Sequence, residues 1–394
     1  MTQTPLPPPP PTQPVTWLAR LTSPVAGVCL SGFMLLGLVT TVYSVATDQL
    51  DLFPKPPTWA SFLDGRVTQG IADALAGAPV PRESASIERG LSWMAIGDLG
   101  ARVRQGCDNW LFLNDELRPH AQGEANAQAR VQDVLRVQKR LAAQSSRLLV
   151  VVVPDKSRME NAHLCGLYRP AAFDSRVADW VRMLTAAGVE VMDLQPALMK
   201  TAAPEAREDN GPGAFYRTDT HWNERGAQSA AQAVALKVAS LGITPVPSVH
   251  YRLQPQVAAP RPGDLVRLAG IDKLPASRQP RTDVQQATVF TDKEAAAGGA
   301  AAQTEEDLFG DAKTPNIAVI GTSYSRTSNF VPWLQAALNT RLVNAAVDGG
   351  DFSGSARQYF QSPTFKETPP ALVIWEIPER VLQMPREADD IGWK

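Results

Sequence analysis

Long apolar runs that end at turn residues constrain the fold of this chain more than any other feature. Residues 147–153 (RLLVVVV) stop at Pro154, and residues 371–377 (ALVIWEI) stop at Pro378. Apolar runs without polar alternation are typical of parallel strands that helices cover on both faces. Further strands are predicted at 189–194, 316–321 and 341–347.

Helical spacing of apolar residues fills the intervals between these strands. Gly188 and Gly242 each follow such a segment and are typical helix stop signals. The alternation predicts an α/β fold, a parallel sheet flanked by helices, in which ligands bind beyond the carboxyl ends of the strands. Helices are predicted at about 131–141, 177–184, 223–241, 329–339 and 353–361, and a short strand at 109–113.

The N-terminus predicts export. Residues 1–24 begin with a Pro-rich stretch that cannot pack a core. Residues 25–46 carry no charge and are long enough to cross a bilayer core of about 30 Å. Arg20 precedes this run, and a positive flank predicts a cytoplasmic tail, an inner-membrane anchor and a periplasmic body. The alternative is a signal peptide cleaved after residues 44–46 (SVA).

Composition divides the remainder of the chain. Residues 47–99 form a linker or helical region, residues 100–385 the main domain, and residues 386–394 a C-terminal tail. Residues 243–313 interrupt the main domain with a Pro-, Ala-, Gly- and Gln-rich stretch, which predicts a functional lid or a disordered insertion. The 38 basic and 40 acidic residues leave a net charge of −2, so we expect no nucleic-acid partner.

Cysteine and histidine are scarce. Cys29 lies in the apolar run, which leaves Cys107 and Cys165 as the two thiols outside it. An oxidising compartment would let them pair, and two separate buried thiols are the alternative. The histidines other than His221 show no spacing typical of metal ligands, so we predict no metal site.

Two motifs near predicted strand ends could carry nucleophilic chemistry. Asp219 lies two residues before His221, which places both side chains on one face of an extended segment. A carboxylate there would fix the imidazole tautomer and leave the other ring nitrogen as a base, whereas the alternative is a structural histidine. Ser323 follows the strand at 316–321, beside free backbone N–H groups. Ser325 competes for the role of nucleophile, and a helix-capping serine is the alternative.

Together these motifs resemble a known family. The segments 219–222 (DTHW) and 321–323 (GTS) resemble the SGNH-hydrolase-like domain of alginate O-acetyltransferases of the AlgJ/AlgX type. The Asp–His block precedes the Ser block, which is the permuted order of that family. Further similarity lies at 109–113 (NWLFL), 153–156 (VPDK) and 375–380 (WEIPER), so the resemblance spans about residues 100–385.

The resemblance implies a membrane-anchored O-acetyltransferase that modifies an exopolysaccharide such as alginate or cellulose. Ser323 would be the nucleophile, His221 the general base and Asp219 the residue that orients it. A multi-spanning membrane acyltransferase would supply acetyl groups, so the domain needs no cofactor. The alternatives are a carbohydrate acetyl-esterase and a non-catalytic polysaccharide-binding or assembly protein of the same fold.

The remaining candidates are oxyanion and substrate contacts. Gly349 and Gly350 stand where SGNH enzymes have a glycine block, and Arg380 stands where a Gly-x-Asn-Asp block is expected. Arg380 would donate to the oxyanion or pair with a carboxylate. Lys156, at a strand end, would bind an anionic sugar or lie in solvent, and Tyr324, beside Ser323, is a further candidate.

The N-terminal prediction can be tested directly. We expect the mature protein to remain in the inner membrane fraction with residues 1–24 attached, because the apolar run exceeds a typical signal-peptide core. N-terminal sequencing of the purified protein measures this. Mature protein that starts near Thr47 would replace the anchor with a cleaved signal.

Overall fold

A computed structural model of the chain describes residues 17–53, 56–202, 213–293, 314–386 and 391. The chain divides into two compact units, Met1–Ser92 and Trp93–Lys394. The first four helices are α1 (Trp17–Ala46), α2 (Trp59–Leu63), α3 (Arg66–Gly77) and α4 (Pro79–Ile96).

Helix α1 contains the predicted membrane segment. Residues Pro24–Ala46 are long and apolar enough to cross a membrane, with a mean hydropathy of 2.1. Apolar side chains such as Leu35, Val39 and Val42 are exposed along it. Apolar surface of this extent fits lipid better than water. Such a helix serves equally as an anchor or as a signal sequence, and residues 1–14 lie outside the described part of the chain.

A five-stranded sheet organises the second unit. Its strand order is β10-β9-β11-β3-β4, and every neighbouring pair is parallel. The predicted α/β fold with a parallel sheet is therefore confirmed. The strands are β3 (Arg147–Val153), β4 (Glu190–Asp193), β9 (Ile317–Ile320), β10 (Val343–Asn344) and β11 (Leu372–Pro378).

Strand β10 is shorter than the predicted strand at 341–347. It is the edge strand and pairs with β9 alone. Beyond it, the backbone N–H groups of Ala345 and Val347 still donate to the carbonyls of Val319 and Gly321, at 2.8 and 3.0 Å. The chain therefore stays alongside β9 up to Val347, although only two residues keep regular strand geometry.

Helices cover both faces of the sheet. Leu149, Val151 and Val153 of β3 join one apolar cluster, whereas Leu148, Val150 and Val152 join a second cluster on the opposite face. Burial on both faces explains why this strand is apolar throughout. The helices of the second unit are α5 (Gly123–Ala142), α6 (Lys156–Met159), α7 (Arg176–Ala186), α8 (Gln195–Ala202), α9 (Glu224–Ser240), α10 (Asp264–Leu268), α11 (Phe330–Leu338), α12 (Gly354–Gln361) and α13 (Pro363–Glu367).

Much of the insertion predicted at 243–313 is folded. Two antiparallel pairs join β5 (Tyr251–Pro255) to β8 (Thr288–Asp292), and β6 (Ala259–Arg261) to β7 (Asp283–Gln285). The prediction of a disordered insertion is therefore wrong for residues 243–293, because strand pairing stabilises a segment of low apolar content. The low-complexity residues 295–302 lie outside the described residues.

A disulfide joins two loops of the second unit. Cys107 follows β1 (Val103–Gln105) and precedes β2 (Leu111–Leu113), and its Sγ is bonded to that of Cys165, with the Cα atoms 5.8 Å apart. The Cys107 N–H also donates to the carbonyl of His163 at 3.0 Å. The bond ties the β1–β2 loop to the segment that follows α6.

Removing this disulfide should destabilise the fold. A cross-link over a sequence separation of 58 lowers the entropy of the unfolded chain by an amount worth about 4 kcal/mol. We expect the Cys107→Ala/Cys165→Ala variant to lose most of this from the free energy of unfolding, measured by urea titration of the full chain in detergent. Cys29→Ala, which changes an exposed free cysteine, is the control, and equal midpoints for both variants would contradict the prediction.

Candidate active site

Two loops bring the predicted triad together at the carboxyl end of the sheet. An antiparallel bridge between Phe215 and Trp222 closes the loop that carries Asp219 and His221. Ser323 begins a 3₁₀ turn, Ser323–Arg326, directly beyond β9. Lys156, which lies just beyond β3, donates to the Asp219 carbonyl at 2.9 Å, so the first loop lies at the same edge of the sheet as Ser323.

The three side chains form a continuous hydrogen-bonded chain. His221 Nε2 lies 2.7 Å from Ser323 Oγ, and His221 Nδ1 lies 2.7 Å from Asp219 Oδ1. The ionised Asp219 only accepts hydrogen bonds, so Nδ1 carries the proton and Nε2 accepts from the serine hydroxyl. Asp219 and His221 are buried, whereas Ser323 is half-buried. The arrangement is that of a Ser-His-Asp triad.

The Asp219 carboxylate is fully engaged. The backbone N–H of His221 donates to Oδ1 at 2.9 Å, and Arg261 Nη2 donates to Oδ2 at 2.9 Å. Burial by itself raises the pKa of Asp219, but the hydrogen bond and charge of His221 and the charge of Arg261 outweigh it and hold that pKa well below its usual range. Asp219 is therefore ionised at neutral pH.

Sequence reasoning missed Arg261 and Asp264, because both lie in the insertion. Asp264 Oδ1 accepts from the backbone N–H of Thr220 at 2.7 Å, and its Oδ2 lies 3.7 Å from His221 Nδ1. One local signal was present: Gly263 separates a cation from a carboxylate in the run 261–264 (RPGD). A Cβ at Gly263 would lie 1.9 Å from the Thr218 carbonyl oxygen, so this glycine permits the close approach.

A buried carboxylate shapes the turn that carries the nucleophile. Glu376 of β11 accepts from the Thr322 N–H at 2.6 Å and from the Ser325 hydroxyl at 3.0 Å. A Cβ at Gly321 would lie 2.4 Å from Glu376 Oε2, which explains the glycine before the turn. Burial raises the pKa of Glu376. Ser325 therefore faces Glu376, and Ser323 faces His221.

The prediction that Lys156 binds an anionic sugar or lies in solvent is wrong. Its side chain is completely buried, and Nζ donates to the carbonyls of Leu111, Arg217 and Asp219 at 2.6, 2.7 and 2.9 Å. All three ammonium protons are used in this way. Burial lowers the pKa of Lys156 to about 8. The residue anchors the loop that carries Asp219.

Tyr324 also differs from its predicted role as a substrate contact. The side chain is completely buried and its hydroxyl donates to the Thr220 carbonyl at 3.1 Å. Its ring meets the His221 ring edge-on, with the centroids 5.0 Å apart. Tyr324 therefore packs behind the imidazole, since the core covers all of its side chain.

The structure places the other oxyanion candidates in different settings. The Gly350 N–H donates to the Val347 carbonyl at 3.0 Å, so it is already engaged, whereas Gly349 is exposed with φ +67°. The Arg380 guanidinium lies 5.6 Å from the centre of the Tyr324 ring. Its Nη1 is buried and has no hydrogen-bond partner among the described residues. Gly349 and Arg380 remain candidates for oxyanion contacts.

Among the residues that the structure describes, two groups of side chains lie close enough together to be tested as metal sites. Asp219, His221 and Asp264 form one, but the Arg261 guanidinium already neutralises Asp219 and would repel a cation there. Cys107 belongs to the other, and its sulfur is bonded to Cys165 rather than available as a thiolate. Neither donor set fits a metal ion.

Comparisons with known proteins agree with this geometry. A family model described as "SGNH hydrolase-like domain, acetyltransferase AlgX" matches residues 103–379. "Probable alginate O-acetylase AlgJ" of Pseudomonas aeruginosa is 30% identical over 324 residues, which cover 80% of each chain. The protein of that name from Azotobacter vinelandii is 30% identical over 310 residues, 78% of this chain and 76% of its own. The solved O-acetyltransferase domain of Pseudomonas putida AlgJ gives a TM-score of 0.61 at 28% identity and covers 73% of this chain and 94% of that domain.

Removing the buried ammonium group of Lys156 should destabilise the fold around the site. In Lys156→Met, three carbonyls lose a charged donor, each such hydrogen bond being worth about 1.5–3 kcal/mol. We expect the free energy of unfolding to fall by about 3 kcal/mol or more, measured by urea titration. Lys139→Met, which changes an exposed lysine on α5, is the control. A Lys156→Met variant as stable as this control would show that the ammonium group is dispensable.

Proposed function

The chain belongs to the SGNH hydrolase-like acetyltransferase family defined by the AlgX domain, and from this premise we propose that it O-acetylates a polysaccharide in the periplasm. The observation that carries the proposal is the 2.7 Å contact between His221 Nε2 and Ser323 Oγ, with Asp219 on the other ring nitrogen. Relatives named alginate O-acetylase make alginate the first polymer to test.

The proposed reaction proceeds through an acetyl-enzyme. Ser323 Oγ attacks the carbonyl carbon of an acetyl donor while His221 Nε2 takes the hydroxyl proton. His221 then returns this proton to the leaving group, which leaves acetyl-Ser323. A sugar hydroxyl next attacks this ester, again with its proton passing to His221, and Ser323 is regenerated. Asp219 holds the tautomer and stabilises the imidazolium in both halves.

The tetrahedral intermediates need donors for a negatively charged oxygen. We propose the Ser323 N–H as the first donor, because it lies at the start of the turn beyond β9. The backbone N–H of Gly349 and the Arg380 guanidinium are the second donors to test, since Gly350 already donates to Val347. Preorganised donors of this kind are worth about 3–4 kcal/mol each in related chemistry.

A groove next to the loop that carries Asp219 is lined by three arginines and suits an acidic acceptor. The groove has a volume of about 680 Å³, and Tyr216, Arg217, Arg225 and Arg281 line it together with Glu224, which accepts from the Thr288 N–H. Its wall residue Asp283 is occupied by the backbone N–H groups of Arg217 and Thr218. Guanidinium groups bind carboxylates with two parallel hydrogen bonds. We therefore propose a polymer of uronic acids as the acceptor class.

The N-terminus and the disulfide support a proposal for the setting of the reaction. We propose that Pro24–Ala46 anchors the protein in the inner membrane, with the second unit outside the cytoplasm, where the Cys107–Cys165 bond persists. A multi-spanning membrane acyltransferase would deliver acetyl groups to this side. Water competing with the sugar for acetyl-Ser323 would give the esterase alternative from the same site.

Substitutions in the triad test the proposal. Ser323→Ala should abolish turnover of a chromogenic acetyl ester, and His221→Ala should be nearly as severe, because an unassisted serine hydroxyl is a poor nucleophile. Asp219→Asn should lower the rate by about 10⁴ through the wrong tautomer. The Ser323→Ala/His221→Ala double variant should be no worse than Ser323→Ala, since the residues act as a unit.

Ser325→Ala is the matched control. It loses one hydrogen bond to Glu376 but keeps the contact between His221 and Ser323, so most of the activity should remain. An active Ser323→Ala variant with an inactive Ser325→Ala variant would overturn the choice of nucleophile. Activity in both variants would overturn the proposal that this site is catalytic. The ratio of acetyl transfer to hydrolysis with alginate oligosaccharides present separates the transferase from an esterase.

A further inference from the structure

The segment Ala259–Arg261 and the three residues that follow it form an arm that reaches the triad from the insertion. Arg261 Nη2 lies 2.9 Å from Asp219 Oδ2, and the backbone N–H of Asp264 donates to the same oxygen at 3.3 Å. The arm thus supplies two of the hydrogen bonds that Asp219 accepts. Neither contact belongs to the sheet or to the loops that carry the triad.

Packing holds the arm in one position. Gly263 lies against the Thr218 carbonyl so closely that no side chain fits between them. Strand β7, which pairs with the arm, brings Asp283 to the Thr218 N–H at 2.8 Å. The Arg261 guanidinium lies 4.6 Å from the centre of the Tyr216 ring. These contacts fix the guanidinium beside Asp219 rather than leave it in solvent.

The arm also changes the charge around the imidazole. His221 Nδ1 faces two carboxylates, Asp219 at 2.7 Å and Asp264 at 3.7 Å. Both carboxylates therefore lie within range of the positive charge that develops on the imidazole when it takes the serine proton. The positive charge of Arg261, on Asp219 Oδ2, offsets one of them.

Other charged groups around the pair are already engaged or lie further away. The Lys156 ammonium donates to the Asp219 carbonyl, and Asp283 accepts from Thr218. The hydroxyl of Tyr324 donates to Thr220, and Arg380 lies behind the Tyr324 ring. Glu224, beyond Tyr216, accepts from the Thr288 N–H. Arg261 and Asp264 are therefore the charged side chains that, among the described residues, form ion pairs with Asp219 and His221 from outside the triad.

We propose that Arg261 and Asp264 form a charge-balancing pair that sets the pH range in which His221 works as a base. Arg261 is a positioning residue that acts through Asp219, and the negative charge of Asp264 opposes the effect of Arg261 on the imidazole. The inference rests on the proposed function, since it concerns the base of that reaction.

The test is the pH dependence of kcat/KM for a chromogenic acetyl ester, using the full chain in detergent. Arg261→Gln removes a positive charge, so the ascending limb of its plot of kcat/KM against pH should move to higher pH by about one unit. At pH values below this limb, kcat/KM of Arg261→Gln should be about tenfold lower than that of the unchanged protein, and at alkaline pH most of this loss should disappear. Asp264→Asn removes a negative charge and should move the limb to lower pH.

The double variant decides between charge balance and structure. Arg261→Gln/Asp264→Asn should return the limb to within a few tenths of a unit of its original position, because the net charge at the imidazole is restored. Arg261→Lys should keep most of the original profile. Arg267→Gln, an exposed arginine on α10 beyond the arm, is the matched control and should change nothing.

Other outcomes would overturn the inference. Equal loss at every pH in Arg261→Gln, with the double variant worse still, would mean that the arm only supports the fold. Should Arg261→Gln fail to fold, an unmoved limb in Asp264→Asn is sufficient to reject the idea. Ser323→Ala is measured in the same assay, and if it keeps activity the proposed function fails. If Ser323→Ala is inactive but the pH profiles of the Arg261 and Asp264 variants do not move, the charge-balancing pair alone is rejected.

Discussion

One buried ammonium group determines how the rest of the site is built. Lys156 Nζ donates to the carbonyls of Leu111, Arg217 and Asp219, with no exposure to solvent. An ammonium ion removed from water costs several kcal/mol unless its protons are fully bonded. Its three acceptors lie on β2 and on the loop that carries the triad acid, while the lysine itself follows β3. These three segments are therefore held in one arrangement, because any displacement would leave a buried charge without its partners.

Buried carboxyl groups fix the positions of two further loops, as Lys156 fixes the loop that carries Asp219. Glu376 holds the nucleophile turn through Thr322 and Ser325. Glu379, directly beyond β11, accepts from Arg158 at 2.6 Å and from the Asp155 N–H at 3.0 Å. Both accept from backbone N–H groups that lie beyond the ends of parallel strands, Thr322 beyond β9 and Asp155 beyond β3. A buried carboxylate is costly when unpaired, so each loop is confined to the geometry that satisfies it. The triad geometry is thus set by buried ionisable side chains that take no part in the proposed chemistry.

The residues that sequence reasoning identified are those whose signals are local. The apolar run at β3 is readable because it is buried on both faces, and Asp219 with His221 because an extended segment places them together. Lys156 was misread because its burial depends on carbonyls from distant segments. Arg261 was not found because it contacts Asp219 across 42 residues of chain, from a segment whose composition resembles a loop. Strands β6 and β7 pair across a distance in the chain, and each is too short to show a periodicity that would predict the pairing.

The contact between His221 and Ser323 joins residues 102 positions apart, yet the chain order of the two blocks matters little to the chemistry. Lys156 fixes the loop before α9 just beyond β3, and the Ser323 turn lies beyond β9, so the two reach the same edge of the sheet whichever comes first in the chain. What the reaction requires is a base within hydrogen-bond reach of the nucleophile and an oriented tautomer. The permuted order therefore preserves the triad, and it also leaves room between the two blocks for the insertion that carries Arg261 and Asp264. The insertion reaches the triad acid and the imidazole because Gly263 permits its backbone to approach Thr218 closely, which brings Arg261 to Asp219 and Asp264 to His221.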